Sequence, residues 1–191
     1  EIMTKSSPFL DFARKTAKEA GDILLKHFGE ISYIERKSSD IDLVTVADTE
    51  SETYILEKIS SIYPDHQIIA EESALTKGSS DYRWVIDPLD GTTNFIHNLP
   101  IFAVSIGLQF EEETILGVVH NPAADKCFFA EKDRGAFLND SPIYATSTNT
   151  LIESLLVTGF PYIHDDRWGK CFELFKDLYG QTQGIRRLGA A

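Results

Sequence analysis

Trp84-Val85-Ile86-Asp87-Pro88-Leu89-Asp90-Gly91-Thr92-Thr93-Asn94-Phe95-Ile96-His97-Asn98-Leu99-Pro100 is the stretch on which the reading of this chain turns. Residues 84–86 are apolar and strand-like, and they deliver two carboxylates, Asp87 and Asp90, around Pro88 and Leu89. Gly91, Thr92, Thr93 and Asn94 then suit a turn opening into a helix. Hard divalent cations take oxygen ligands, and a carboxylate pair on a rigid bend provides them. The free N–H groups of the next helix would offer a place for phosphate. Metal and phosphate side by side point to phosphoryl chemistry. The plainer alternative is an Asp-Pro turn capped by Asp90, since Asp, Pro and Gly are ordinary turn residues.

A second acidic pair favours the chemical reading. Glu71-Glu72 directly follows the apolar strand 67–70. Strand ends and the loops after them are where many α/β folds place their chemistry. Two acidic clusters after two strands can converge on one metal centre.

These residues resemble the inositol monophosphatase family of magnesium-dependent, lithium-sensitive phosphatases. Glu71-Glu72-Ser73 and the run 87–95 carry the resemblance, and the Thr92-Thr93-Asn94-Phe95 ending is similar to the inositol monophosphatase branch specifically. Further similar stretches are Lys37 with 42–48, then Gly159-Phe160-Pro161-Tyr162, then Arg186-Arg187-Leu188-Gly189-Ala190-Ala191. The resemblance implies an α+β fold, a layered α/β sandwich of the inositol monophosphatase/fructose-1,6-bisphosphatase type. It implies a single phosphatase unit over 1–191, with a metal-binding α+β part over 1–140 and the start of an incomplete second α/β part over 141–191. Family members continue to a Trp-Asp motif whose aspartate is a metal ligand. That motif is absent from the sequence. The expectation is therefore that the C-terminal part of the fold is missing, which would leave strand edges and apolar faces uncovered.

The same resemblance implies a mechanism. Glu71, Asp87 and the carbonyl of Leu89 would hold one Mg2+; Asp87 as a bridge, Asp90 and the missing aspartate would hold a second. Cation pairs about 3.5–4 Å apart can stabilise both oxygens of an in-line displacement. Glu71 with the Thr92 hydroxyl would orient and deprotonate the attacking water. The N–H groups of Gly91 and Thr92 would cradle phosphate, beside Asp90. Gly189, Ala190 and Ala191 match positions that contact the inositol ring. Asp48 resembles a residue near a weaker third magnesium, where it would act through water. Two residues keep alternatives open: Asp48 as a plain helix N-cap, and Thr92 as a helix cap. Glu72 would support its neighbour, and Lys37 would add positive charge or simply be solvated.

Composition bounds the rest. The chain has 191 residues, 42% of them hydrophobic, enough for one substantial core or two small layered units. A net charge of −12, from 18 basic and 30 acidic residues, argues against nonspecific binding to nucleic acid or acidic membranes. An acidic site repels phosphate esters, and bound cations reverse that field. Cys127 and Cys171 show no metal-like spacing, which fits a reduced, cytoplasmic setting. Among the histidines, His27, His97, His120 and His164 read as packing or surface residues.

Along the chain, helical spacing of Phe9, Ala13, Ala17, Ala20, Leu24 and His27 predicts a helix over 8–28. Strands are expected at 31–37, 43–47, 67–70, 84–86, 102–110, 114–120, 126–130, 136–138 and 154–158. A second helix over 49–63, capped by Asp48, would bury Ile55, Ile59 and Ile62, and a further helix covers 165–178. Residues 77–80 read as a mobile surface loop and 139–142 as a turn. The expected partner is a small-molecule phosphate ester, with no nucleic acid, no membrane and a homodimer by family analogy. The same fold acting on a bisphosphate (fructose 1,6-bisphosphate or 3′-phosphoadenosine 5′-phosphate), or as a non-catalytic binding protein, is the competing reading.

Overall fold

The computed structural model describes residues 6–30, 34–36, 43–71, 78–160 and 165–191. Helix α1, Pro8–His27, starts where Ser7 accepts a hydrogen bond from the Leu10 N–H, with Pro8 in the first turn. It ends before Gly29, whose φ of +90° an L side chain would resist. Strands β1 (Ile34–Arg36) and β2 (Leu43–Thr45) pair antiparallel and lead into α2, Val46–Ile62. Strands β3 (Gln67–Ala70), β4 (Tyr82–Asp90), β5 (Ala103–Phe110), β6 (Glu113–Asn121), β7 (Lys126–Glu131), β8 (Gly135–Leu138) and β9 (Ser141–Ile143) form one seven-stranded sheet in that order. β3 and β4 run parallel and every later neighbour is antiparallel, and the short helix α3, Thr92–Ile96, lies between β4 and β5.

Helices α1 and α2 pack together on one face of this sheet. There Leu10, Ala13, Ala17, Ala20 and Leu24 meet Trp84, Ile86, Val104, Ile106, Leu108, Leu116 and Val118, all buried. Small alanines let the helix approach the strands closely, and the large side chains interdigitate around them. The mixed sheet with helices on one face matches the α+β class read from the sequence.

A second group of elements follows. A 3₁₀ turn at Leu151–Glu153 precedes β10 (Leu155–Val157), which pairs parallel with β11 (Gly184–Arg186). Between them lies α4, Asp166–Tyr179, capped by the Asp165 side chain on the Arg167 N–H. Ile152, Leu155, Val157, Leu174 and Tyr179 are exposed here.

Several expectations need correction. The second helix begins at Val46, not Thr49, and its cap is Thr45. Ile62 is exposed while Ile55 and Ile59 are fully buried, and Tyr63, four residues after Ile59, packs against the core in its place. The strand expected at 84–86 runs from Tyr82 to Asp90. Residues 141–143 form an edge strand, with Asn139 at φ +53° and Asp140 left to make the tight turn. Residues 78–80 touch the chain at Asp65. Ser80 N–H donates to the Asp65 carbonyl at 3.0 Å, and a Cβ on Gly78 would lie 2.2 Å from that same oxygen. His27, read as a packing or surface residue, makes a surface contact, its Nε2 2.8 Å from Glu50 Oε2. Lys37, Glu72, Lys77, Pro161, Tyr162 and His164 lie outside the described residues.

Candidate metal and phosphate site

Side chains alternate faces along a strand, so residues three apart normally point to opposite sides. Asp87 and Asp90 escape this rule through a bulge. Asp87 pairs with Ser105 and Asp90 with Ala103, so three steps on β4 match two on β5. The extra residue brings both carboxylates to the side shared by Ser105 and Ala103. Pro88, which has no N–H to give the ladder, suits this position. That side is opposite the helix-covered core, since Ile86, the preceding residue, is buried in it.

The parallel register of β3 and β4 adds a third acid. Ala70 pairs with Ile86, so the next residue, Glu71, comes alongside Asp87. The two carboxyl groups share a hydrogen bond. Burial first, then the charge and hydrogen bond of Glu71, then the Asp90 charge, push the Asp87 carboxyl up to about 8. The Asp90 carboxyl is also raised, chiefly by burial, against a lowering hydrogen bond from the Ala191 N–H.

Helix α2 supplies the flank. Asp48 stands at its third position, and its Oδ2 accepts from the Thr45 N–H at 2.8 Å and the Thr45 hydroxyl at 2.6 Å. Its other oxygen accepts from the Thr92 hydroxyl at 3.1 Å. Burial raises the Asp48 carboxyl, and the Thr45 and Thr92 hydrogen bonds pull it back. Asp48 is thus the reciprocal half of a capping box, not the N-cap itself. Thr92 is not a cap either. Gly91, at φ +90°, is the N-cap of the short helix α3, Thr92–Ile96, and makes no side-chain capping bond. The Thr92 hydroxyl lies 3.1 Å from the Leu89 carbonyl as well, so its single proton has two acceptors and its lone pairs stay available.

Two supports were not legible beforehand. Ser51 Oγ, fully buried, donates to the Pro88 carbonyl at 3.0 Å and pins the bulge from α2. The Leu89 N–H donates to Asp87 Oδ1 at 3.2 Å and fixes that carboxylate from within the bulge. Gly189, Ala190 and Ala191 do reach the site. A Cβ on Gly91 would lie 2.9 Å from Ala190 Cβ and 3.2 Å from the Gly189 carbonyl.

The donors suit a hard divalent cation in kind: Glu71, Asp87, Asp90 and the Leu89 carbonyl are all oxygen donors. Two carboxyls in hydrogen-bond contact need a proton or a cation between them, in keeping with the raised Asp87 carboxyl. No group of three or more His, Cys, Asp or Glu side chains is already closed into a metal cage among the described residues. No helix among them is long and apolar enough to cross a membrane.

The profile of the inositol monophosphatase family matches residues 5–191. An inositol-1-monophosphatase of Synechocystis sp. is 42% identical over 184 residues, covering 96% of this chain, which spans 64% of that relative's length. A fructose-1,6-bisphosphatase/inositol-1-monophosphatase of Aquifex aeolicus is 37% identical over 191 residues, with 99% of this chain and 72% of the relative covered. The crystal structure of the extragenic suppressor protein suhB from Bartonella henselae superposes with a TM-score of 0.91 at 34% identity, over 97% of this chain and 72% of that one. A near-complete profile match, a relative at this identity and a shared fold leave one conclusion, that this chain belongs to the inositol monophosphatase family.

Proposed function

We propose that this protein hydrolyses phosphate monoesters, inositol 1-phosphate or a related sugar monophosphate, with Mg2+ as cofactor. The observation that carries the reading is the convergence of Glu71, Asp87 and Asp90 on one side of the sheet, with the Asp48–Thr92 pair at their edge. Glu71, Asp87, Asp90 and the Leu89 carbonyl would hold the cation. When bound, Mg2+ neutralises phosphate charge and makes water a competent nucleophile near neutral pH. Glu71 takes a proton from the attacking water, and the Thr92 lone pairs hold that water while its hydroxyl proton is committed to Asp48 or Leu89. The Gly91 and Thr92 N–H groups meet the phosphate oxygens, and Gly189, Ala190 and Ala191 line the sugar side.

The unit spans 1–191, with the metal-binding part in 1–140 and the start of a second α/β part in 141–191. Inhibition by lithium, a cytoplasmic location and homodimerisation belong to the same reading. The exposed apolar residues around β10 and α4 are candidates for the dimer contact. A second reading, hydrolysis of fructose 1,6-bisphosphate, is favoured by the double name of the Aquifex relative. A substrate panel separates the two. Phosphate release from inositol 1-phosphate with Mg2+, abolished by chelator, supports the first. Release from fructose 1,6-bisphosphate alone supports the second, and none from either would leave only a binding role.

A further inference from the structure

We propose that Asn94 is a positioning residue: its side chain clasps the 188–191 segment against the acidic site and so sets how tightly the sugar side of the substrate is held. The proposal rests on the reading of Gly189, Ala190 and Ala191 as the sugar-facing wall.

The geometry is reciprocal. The Asn94 amide has two N–H donors. One donates to the Ile101 carbonyl and one to the Leu188 carbonyl, each at 2.8 Å. The first bond closes the loop after α3; the second reaches a residue 94 positions away. Gly189 follows at φ +80°, and a Cβ there would lie 3.1 Å from the Asn94 amide nitrogen. Gly91, on the other side, has its missing Cβ space taken by Ala190 Cβ and the Ile101 and Gly189 oxygens. Each strand of the clasp fills the space that a glycine leaves on the other. The segment then ends with the Ala191 N–H on Asp90 Oδ2.

The turn after α3 is also held by the backbone, since the Asn94 carbonyl accepts from the Leu99 N–H at 2.9 Å. One amide N–H adds the local bond to Ile101, and the other is spent on the distant Leu188 carbonyl. Aspartate has the same shape but offers no donor, and it would set a carboxylate oxygen against two carbonyls. Alanine removes the bonds without adding repulsion.

The test uses Asn94→Asp and Asn94→Ala with two esters, inositol 1-phosphate and 4-nitrophenyl phosphate, together with hydrogen exchange of the 184–191 peptide. The expected result is a KM for inositol 1-phosphate raised about tenfold or more, the equivalent of one lost hydrogen bond. Turnover number on both esters, KM for 4-nitrophenyl phosphate and the Mg2+ requirement stay near wild type, and exchange at 184–191 accelerates, more in the aspartate variant. An unchanged KM for inositol 1-phosphate, or an equal loss on both esters together with a lowered Tm, overturns the proposal. Wild-type protein that releases phosphate from neither ester overturns the reading of the site on which the proposal rests. Unchanged exchange in both variants overturns the clasp itself.

Discussion

Thr92 Oγ stands 3.1 Å from Asp48 Oδ1, tying the first turn of α3 to the first turn of α2 across 44 residues of sequence. The same Asp48 carboxylate closes the capping box with Thr45. One buried acid therefore serves helix stability through one oxygen and the candidate site through the other.

Thr92→Ala separates the two services. Because Gly91 is the cap, stability should fall by only about 1 kcal/mol, the net worth of one hydrogen bond. Turnover should fall on the order of 100-fold or more if the hydroxyl holds the attacking water. Asp48→Ala should cost more stability, about 1–2 kcal/mol, because the capping box goes with it. The double variant should be no slower than the worse single variant, since both disable one unit. Additive losses in turnover would show that the two residues act separately.

Ser51→Ala should loosen the acidic bulge from behind. The Pro88 carbonyl loses a buried donor, at a cost of roughly 1–3 kcal/mol in urea unfolding. The Mg2+ concentration for half-maximal activity should rise, because Leu89 and Asp90 follow directly after the freed carbonyl. A destabilised variant with unchanged Mg2+ dependence would confine Ser51 to folding.

His66 makes stability depend on pH. Its Nδ1 accepts from Trp84 Nε1 at 3.1 Å, and its ring stacks on Tyr63 and Tyr82 at 4.8 and 4.9 Å. Burial holds it below its ordinary 6.5, and the charged form would break the Trp84 bond. Above 6.5 both folded and unfolded chains carry it neutral, and its contribution is whole. As the pH falls through 6.5 the unfolded chain takes the proton first, and stability declines until the folded group titrates. Urea midpoints should therefore drop between pH 7 and pH 5. His66→Asn should flatten part of that drop and leave the part due to His120, whose value is also lowered, mainly by burial. An NMR titration placing His66 above 6.5 would contradict this.

The sequence disclosed what is local. The α1 stripe of alanines, the limits of β3 and the acidic run on β4 all follow from spacing of two or about four residues. What it hid depends on partners. The alternation rule puts Asp87 and Asp90 on opposite faces, and only the register against β5 reveals the bulge that unites them. Asp48 looked like a cap because Thr45 sits in a strand-like run, yet Thr45 has the extended backbone a cap needs and a hydroxyl that accepts from the Ala47 N–H. β11 escaped because Gly184-Ile185-Arg186 is too short to show alternation and is recognised only beside β10. The bond of Ser51 to Pro88 and that of Asn94 to Leu188 carried no signal, since they join residues 37 and 94 positions apart that only the fold brings together.

The measurement that bears most directly on the site is phosphate release from inositol 1-phosphate by wild type and Asp87→Asn, each with Mg2+ and with chelator. Asparagine keeps the shape of Asp87 and removes the charge that would hold a cation. Wild type should turn over only with Mg2+, and Asp87→Asn should stay inactive at saturating Mg2+ while unfolding at the same urea concentration or higher, because an amide beside Glu71 needs no shared proton. Metal-independent release by wild type, or full turnover by the variant, would contradict a cation held by these carboxylates.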